Sequence, residues 1–128
     1  MPLVRVTMIK GKSPDYIKKM SDSIYEALVE AYVQQKEETF QIIEQLEPSD
    51  LIYAPRFGIQ GSRSGDFVII NIESDARRRG EKADFMARLS DKLAASPGIA
   101  RDDVFVLLST TAGWEDFSLG SGVAVSWS

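Results

Sequence analysis

Two halves of this 128-residue chain match each other 65 residues apart. Glu26-Ala27-Leu28 lies opposite Asp91-Lys92-Leu93, and Glu37-Glu38-Thr39-Phe40 opposite Asp102-Asp103-Val104-Phe105. Ile42-Ile43 lies opposite Leu107-Leu108. Such self-similarity points to one supersecondary unit used twice, dividing a single domain at about 1–65 and 66–128.

The unit reads as strand, helix, strand. Residues 2–9, 39–46, 67–72 and 104–109 are apolar and strand-like, the last two as continuous runs suited to burial. Ser13-Pro14 is a helix start, with Ser as N-cap and Pro where its missing N–H costs nothing. Ile17, Met20, Ile24, Leu28 and Ala31 then recur at spacings of three and four. A second helix is expected over about 78–95, with Met86, Leu89 and Leu93 as its apolar face, Phe85 alongside, and Ser96-Pro97-Gly98 as its end.

Two βαβ units with right-handed crossovers give an α+β fold. Its four-stranded mixed sheet carries both helices on one face. The other face then needs cover, and an oligomer with packed sheets supplies it. The Gly-rich segments Gly58 to Gly65 and Gly120 to Gly122 read as short hairpins able to reach a neighbouring subunit. Neither has the sequence or setting of a phosphate-binding loop.

The composition removes whole classes of chemistry. The chain has no Cys and no His, so thiolate nucleophiles, imidazole bases and His-ligated metals are out. Proton transfer falls to Asp, Glu, Lys, Tyr or a chain terminus. Fifteen Lys+Arg against 19 Asp+Glu leave a net charge of −4, which argues against nucleic acid as a partner. No apolar run is long enough for a membrane span, and no secretory signal is visible, so the expected compartment is the cytoplasm.

Four features could carry chemistry. Pro2 follows Met1 directly. Met1 is removable before so small a residue, which would leave a secondary amine able to act as base, acid or nucleophile. Arg77-Arg78-Arg79 opens the second helix, where cations oppose the helix dipole but suit an anion site. Glu38 stands at the entrance to the second strand. Trp114, Phe117 and Leu119 form either a pocket wall or a subunit contact.

Together these residues resemble the tautomerase superfamily, whose mature enzymes begin with a catalytic proline. Within it the malonate semialdehyde decarboxylase-like group is the most similar. The resemblance runs through Pro2-Leu3-Val4-Arg5-Val6, Gly11-Lys12-Ser13, Tyr25-Glu26-Ala27-Leu28-Val29-Glu30-Ala31 and Phe40-Gln41. It continues through Glu47-Pro48, Asp50-Leu51-Ile52-Tyr53, Asp102-Asp103-Val104-Phe105 and Phe117-Ser118-Leu119-Gly120-Ser121-Gly122. It implies a homotrimer with no metal or cofactor, acting on a small carboxylate-bearing oxo, enol or unsaturated acid.

By the same resemblance Pro2 is the catalytic proline and Glu38 takes the place of an aspartate that handles water or substrate. Arg77 matches the second of two family arginines, and Asp75 stands at the first. Arg78 or Arg79 is then available to complete a carboxylate site. A family Trp is Phe117 here, and a family Phe is Leu119. Two functions follow as expectations. One is an enzyme working through Pro2, with Glu38, Arg77, Arg78, Arg79, Phe117 and Leu119 around the substrate, in tautomerisation, hydration or decarboxylation. The other is a binding protein on the same scaffold that has lost catalysis.

Overall fold

The first strand, β1 (Leu3–Ile9), alternates as a strand with one covered face must: Val4, Val6 and Met8 are buried and Arg5 is exposed. The computed structural model describes residues 2–32, 34–75, 79–111 and 116–124, with the backbone alone for Arg79 and Gly80. After β1 the chain enters α1 (Pro14–Ala31) through the expected cap. Ser13 is extended, and its Oγ accepts the Tyr16 N–H at 3.1 Å. Met20, Ser23, Ile24, Ala27 and Leu28 form the buried stripe of α1.

Strand β2 (Gln41–Leu46) follows, then β3 (Val68–Ser74), α2 (Arg79–Ala95) and β4 (Val104–Thr110). Phe85, Leu89 and Leu93 are fully buried in α2, whereas Met86 is 39% exposed. This corrects the expected apolar face. Residues four apart share a helix face, so burying Leu89 and Leu93 brings in Phe85 and turns Met86 to the flank. The helix ends at Gly98, whose φ of +106° suits a residue without Cβ. Its N–H and that of Ile99 both donate to the Leu93 carbonyl, at 3.0 and 2.8 Å.

The sheet order is β2-β1-β3-β4. Strands β1 and β2 are parallel, as are β3 and β4, and β1 meets β3 antiparallel from Leu3 with Glu73 to Met8 with Val68. Both helices pack on one face. The core lies between, with Val4, Val6, Ile70 and Ile72 under Ile24, Leu28, Leu89 and Leu93. The other face leaves Phe40, Ile42, Phe105 and Leu107 exposed by 39–49%. The sheet is thus the expected one, with one face uncovered.

The internal match is not uniform. Face-matched residues of β1 and β3 are 64 apart: Val4 with Val68, Val6 with Ile70, Met8 with Ile72. In the helices they are 65 apart, as Met20 with Phe85, Ile24 with Leu89 and Leu28 with Leu93. The second copy therefore gains one residue between β3 and α2. A strand tolerates no such slip internally, because one residue inverts every side chain.

The expected hairpins are absent among the described residues. The loop over 51–67 contains no strand and is held by side chains instead. The Tyr53 hydroxyl donates to the Ser64 carbonyl at 2.7 Å, and its ring stacks on Phe67 at 4.4 Å between centroids. Asp103, only 3% exposed, accepts from both the N–H and the Oγ of Ser64, at 2.7 and 2.6 Å. The second Gly-rich segment is likewise a turn, with the Gly120 N–H donating to Ser118 Oγ at 3.3 Å. Asp103→Ala removes both hydrogen bonds that hold Ser64, at a cost of about 0.5–1.5 kcal/mol each. The expected result is faster tryptic cleavage at Arg56 and Arg63. Cleavage as slow as in wild type would show that the aromatic stack alone holds the loop.

Candidate active site

Pro2 is buried and immediately precedes β1. By strand alternation its ring belongs with the helix-facing set Val4, Val6 and Met8. Its nitrogen is a main-chain atom and lies at the end of the strand, beside Leu3. Three elements meet here. The Val4 N–H donates to the Phe40 carbonyl at 3.0 Å, which brings in the entrance to β2. Leu3 pairs with Glu73, which brings in the end of β3.

A cavity of about 240 Å³ opens at the start of β1, lined by Leu3, Phe40, Phe117, Ser118 and Leu119. The structure therefore brings Phe117 and Leu119 to the start of β1, as a pocket wall would require. Leu3, Phe40 and Ser118 are lining residues that the sequence reading did not assign. Phe40 carried a signal for its place: it heads the outward row of β2, as its repeat partner Phe105 does on β4.

Glu38 lies two residues before Phe40 and is half-buried. Its Oε2 accepts the Gln35 N–H at 3.2 Å, and its own N–H donates to the Gln35 carbonyl at 3.3 Å. The carboxylate is thus tied into its own turn, next to Glu37 at φ +70°. Arg77 and Arg78 lie outside the described residues, as does Trp114, and of Arg79 only its place at the first turn of α2 is described. Asp75, the residue at the first arginine position, directly follows β3, and its carbonyl accepts from Ser74 Oγ at 3.0 Å.

The chemistry of this end follows from its lining. The wall is four carbon side chains and one hydroxyl, with Phe40 and Leu119 half-exposed. At the opposite end of β1 the setting is ionic: Lys12 pairs with Asp66 and lies 5.0 Å from the Tyr16 ring centroid. The hydrogen bond to Asp66 holds the Lys12 ammonium above the ordinary 10.5, and burial pushes the Tyr16 hydroxyl above 10.0.

Two family models, each described as tautomerase enzyme, match the chain, one over residues 38–120 and the other over residues 2–64. The chain belongs to the tautomerase family. Probable tautomerase YusQ of Bacillus subtilis is 28% identical over 125 residues, covering 97% of each chain. Probable tautomerase YrdN of the same organism is 28% identical over 122 residues, covering 94% of this chain and 93% of its own.

Among solved structures, a malonate semialdehyde decarboxylase described with decarboxylase and hydratase activities superposes on this tautomerase with a TM-score of 0.88. It is 26% identical and covers 94% of this chain and 92% of its own. A malonate semialdehyde decarboxylase inhibited by 3-bromopropiolate gives 0.86 at 30% identity, over 94% and 91%. A fused 4-OT symmetric trimer shares the fold at 20% identity, with a TM-score of 0.77 over 95% and 94%. No helix among the described residues is long and apolar enough to cross a membrane.

Proposed function

We propose that this tautomerase uses the free amine of Pro2, after loss of Met1, to move a proton between carbon and oxygen of a small oxo or enol carboxylic acid. The observation that carries the reading is a buried Pro2 immediately before β1, with an apolar cavity of substrate size at the start of that strand. A neutral amine takes a proton from the carbon next to a carbonyl, giving the enol. The resulting ammonium returns a proton to carbon or oxygen. The same amine in its cationic form polarises a carbonyl, and hydration of an unsaturated acid or loss of CO₂ from a β-oxo acid follows from that state.

Arg77, with Arg78 or Arg79, clamps the substrate carboxylate, since the described lining of the cavity holds no cation. Glu38 orients water or takes up a proton once its turn releases it. Phe117 and Leu119, with Leu3 and Phe40, exclude solvent. The working form is a cytoplasmic homotrimer, in which the uncovered sheet face, with Ile42, Phe105 and Leu107, packs against its copies.

The test begins with the intact mass of untagged protein, expected one methionine short. Enol and 2-oxo acids are then assayed by ultraviolet absorbance. Arg77→Ala raises KM for carboxylate substrates by about 10–100-fold, the worth of one charge-assisted hydrogen bond. It leaves neutral carbonyl substrates nearly unchanged. Equal KM changes for both classes would remove Arg77 from the carboxylate site. Retention of Met1 would remove the amine and the reading with it.

A further inference from the structure

The internal repeat extends to the cavities. A second cavity, of about 200 Å³, opens at the start of β3, the opposite end of the sheet from the start of β1. Its wall is the first wall again, one repeat away. Phe67 stands 64 residues after Leu3, and Phe105 stands 65 after Phe40. Ile52, Tyr53 and Ala54 stand 65 before Phe117, Ser118 and Leu119. Each residue lining the cavity at the start of β1 thus has a counterpart lining the other.

The two ends differ in their chemistry. The position that matches Pro2 is Asp66, whose nitrogen is an ordinary amide and donates to Ser64 Oγ at 3.1 Å. No amine can act there. Aromatic rings and a cation stand in its place. The Phe67 ring stacks on Tyr53 and meets Phe105 edge-on, with centroids 6.4 Å apart. Phe57 and Arg63 join the wall. The Arg63 guanidinium lies over the Phe67 ring, 5.6 Å from its centroid, and its Nη1 donates to the Ala54 carbonyl at 2.8 Å. The Arg63 main-chain N–H donates to the Pro55 carbonyl at 2.9 Å, so the residue is held at both ends. Among the described residues Arg63 makes no ion pair, and the described lining holds no carboxylate. A guanidinium stacked on a ring keeps its remaining N–H edge for a planar anion. Beside it Phe57 is 83% exposed, an apolar rim in water.

We propose that the cavity at the start of β3 is a second, non-catalytic ligand site for a small aromatic or conjugated carboxylic acid. The acid places its carboxylate on Arg63 and its flat apolar body against Phe57, Phe67 and Phe105. The volume is below the roughly 300–1,000 Å³ of sites for drug-sized ligands, so the ligand is small. Charge favours an acid over a second copy of this chain as the occupant. The apolar part of the uncovered sheet face, packed over this end, would bury Arg63 without a counter-charge, a cost that a carboxylate ligand removes. The site needs no amine, so the inference stands apart from the reading of Pro2.

The experiment titrates benzoate into ¹⁵N-labelled protein, with benzamide as its neutral match, and follows NMR shifts. Benzoate is expected to shift residues 53–67 and Phe105 with a Kd of about 1 mM, ordinary for so small a ligand. Arg63→Gln weakens benzoate by about 10–100-fold, the worth of a charge-assisted hydrogen bond, and leaves the weaker binding of benzamide unchanged. Arg63 also braces its loop through Ala54, so Phe57→Ala, at an exposed position, is the second variant; it weakens both ligands. Pro2→Ala is expected to bind benzoate here as wild type does, which separates failure of the amine reading from failure of this one. No shift at these residues in about 10 mM benzoate would overturn the proposal. Unchanged benzoate affinity in both Arg63→Gln and Phe57→Ala would also overturn it. A smaller oligomer in Arg63→Gln with benzoate affinity unchanged would assign Arg63 to a subunit contact instead.

Discussion

Pro2→Ala is expected to lower kcat/KM by about 10²–10⁴-fold, the usual contribution of a positioned acid or base. Alanine is also small enough for Met1 to be removed, so the variant keeps a free amine. What it loses is the ring. The ring ties the nitrogen to a buried strand end and leaves it one N–H in the neutral state. A primary amine rotates freely and carries two, so its lone pair has no fixed direction toward the substrate. A companion protein with Ala inserted between Met1 and Pro2 makes the nitrogen an amide. It is expected to be inactive even though the ring and its packing remain. Activity within a few-fold of wild type in both proteins would show that the reaction runs on other groups.

The second large effect is on stability. Phe85→Ala removes a fully buried ring that packs on Tyr32 and fills the space between α2 and the sheet. The expected cost is about 3–5 kcal/mol, lost transfer energy plus the cavity left behind. Set against a total of about 5–15 kcal/mol for a domain, that is about a fifth of the stability or more. Urea denaturation reads it directly as a lower midpoint with an unchanged slope. Met86→Ala is the control. At 39% exposure Met86 contributes little, and its loss is expected to stay within about 0.5 kcal/mol. A larger cost for Met86 than for Phe85 would mean that α2 presents a different face to the core.

Much of the fold was legible because it rests on local patterns. The start of α1 was readable from Ser13-Pro14, and the cap forms as those two residues require. The end of α2 was readable from Gly98 for a similar reason, since its φ of +106° favours a residue without Cβ. Met86 was misplaced because Met86 and Phe85 both lie within reach of the stripe set by Leu89 and Leu93. Only the orientation of α2 on the sheet chooses between them. The loop over 51–67 was misread because its glycines suggested a hairpin, while its restraint comes from Asp103, 39 residues beyond Ser64.

The candidate site divides in the same way. Pro2, Phe117 and Leu119 are candidates read from the sequence, and Phe117 and Leu119 line a cavity with Leu3 and Phe40. Composition, periodicity and the resemblance by themselves determined the element order, the uncovered sheet face, the exclusion of Cys and His chemistry, and the family. Each of these follows from which residues are present and how they recur along the chain. The tertiary structure alone decided which face of α2 is inside, what holds the long loop, and that Glu73 stands beside Leu3 at the start of β1. The last is set by the antiparallel register of β1 against β3. That register is a relation between strands some 65 residues apart, fixed by burying Val4, Val6, Ile70 and Ile72 on one face together.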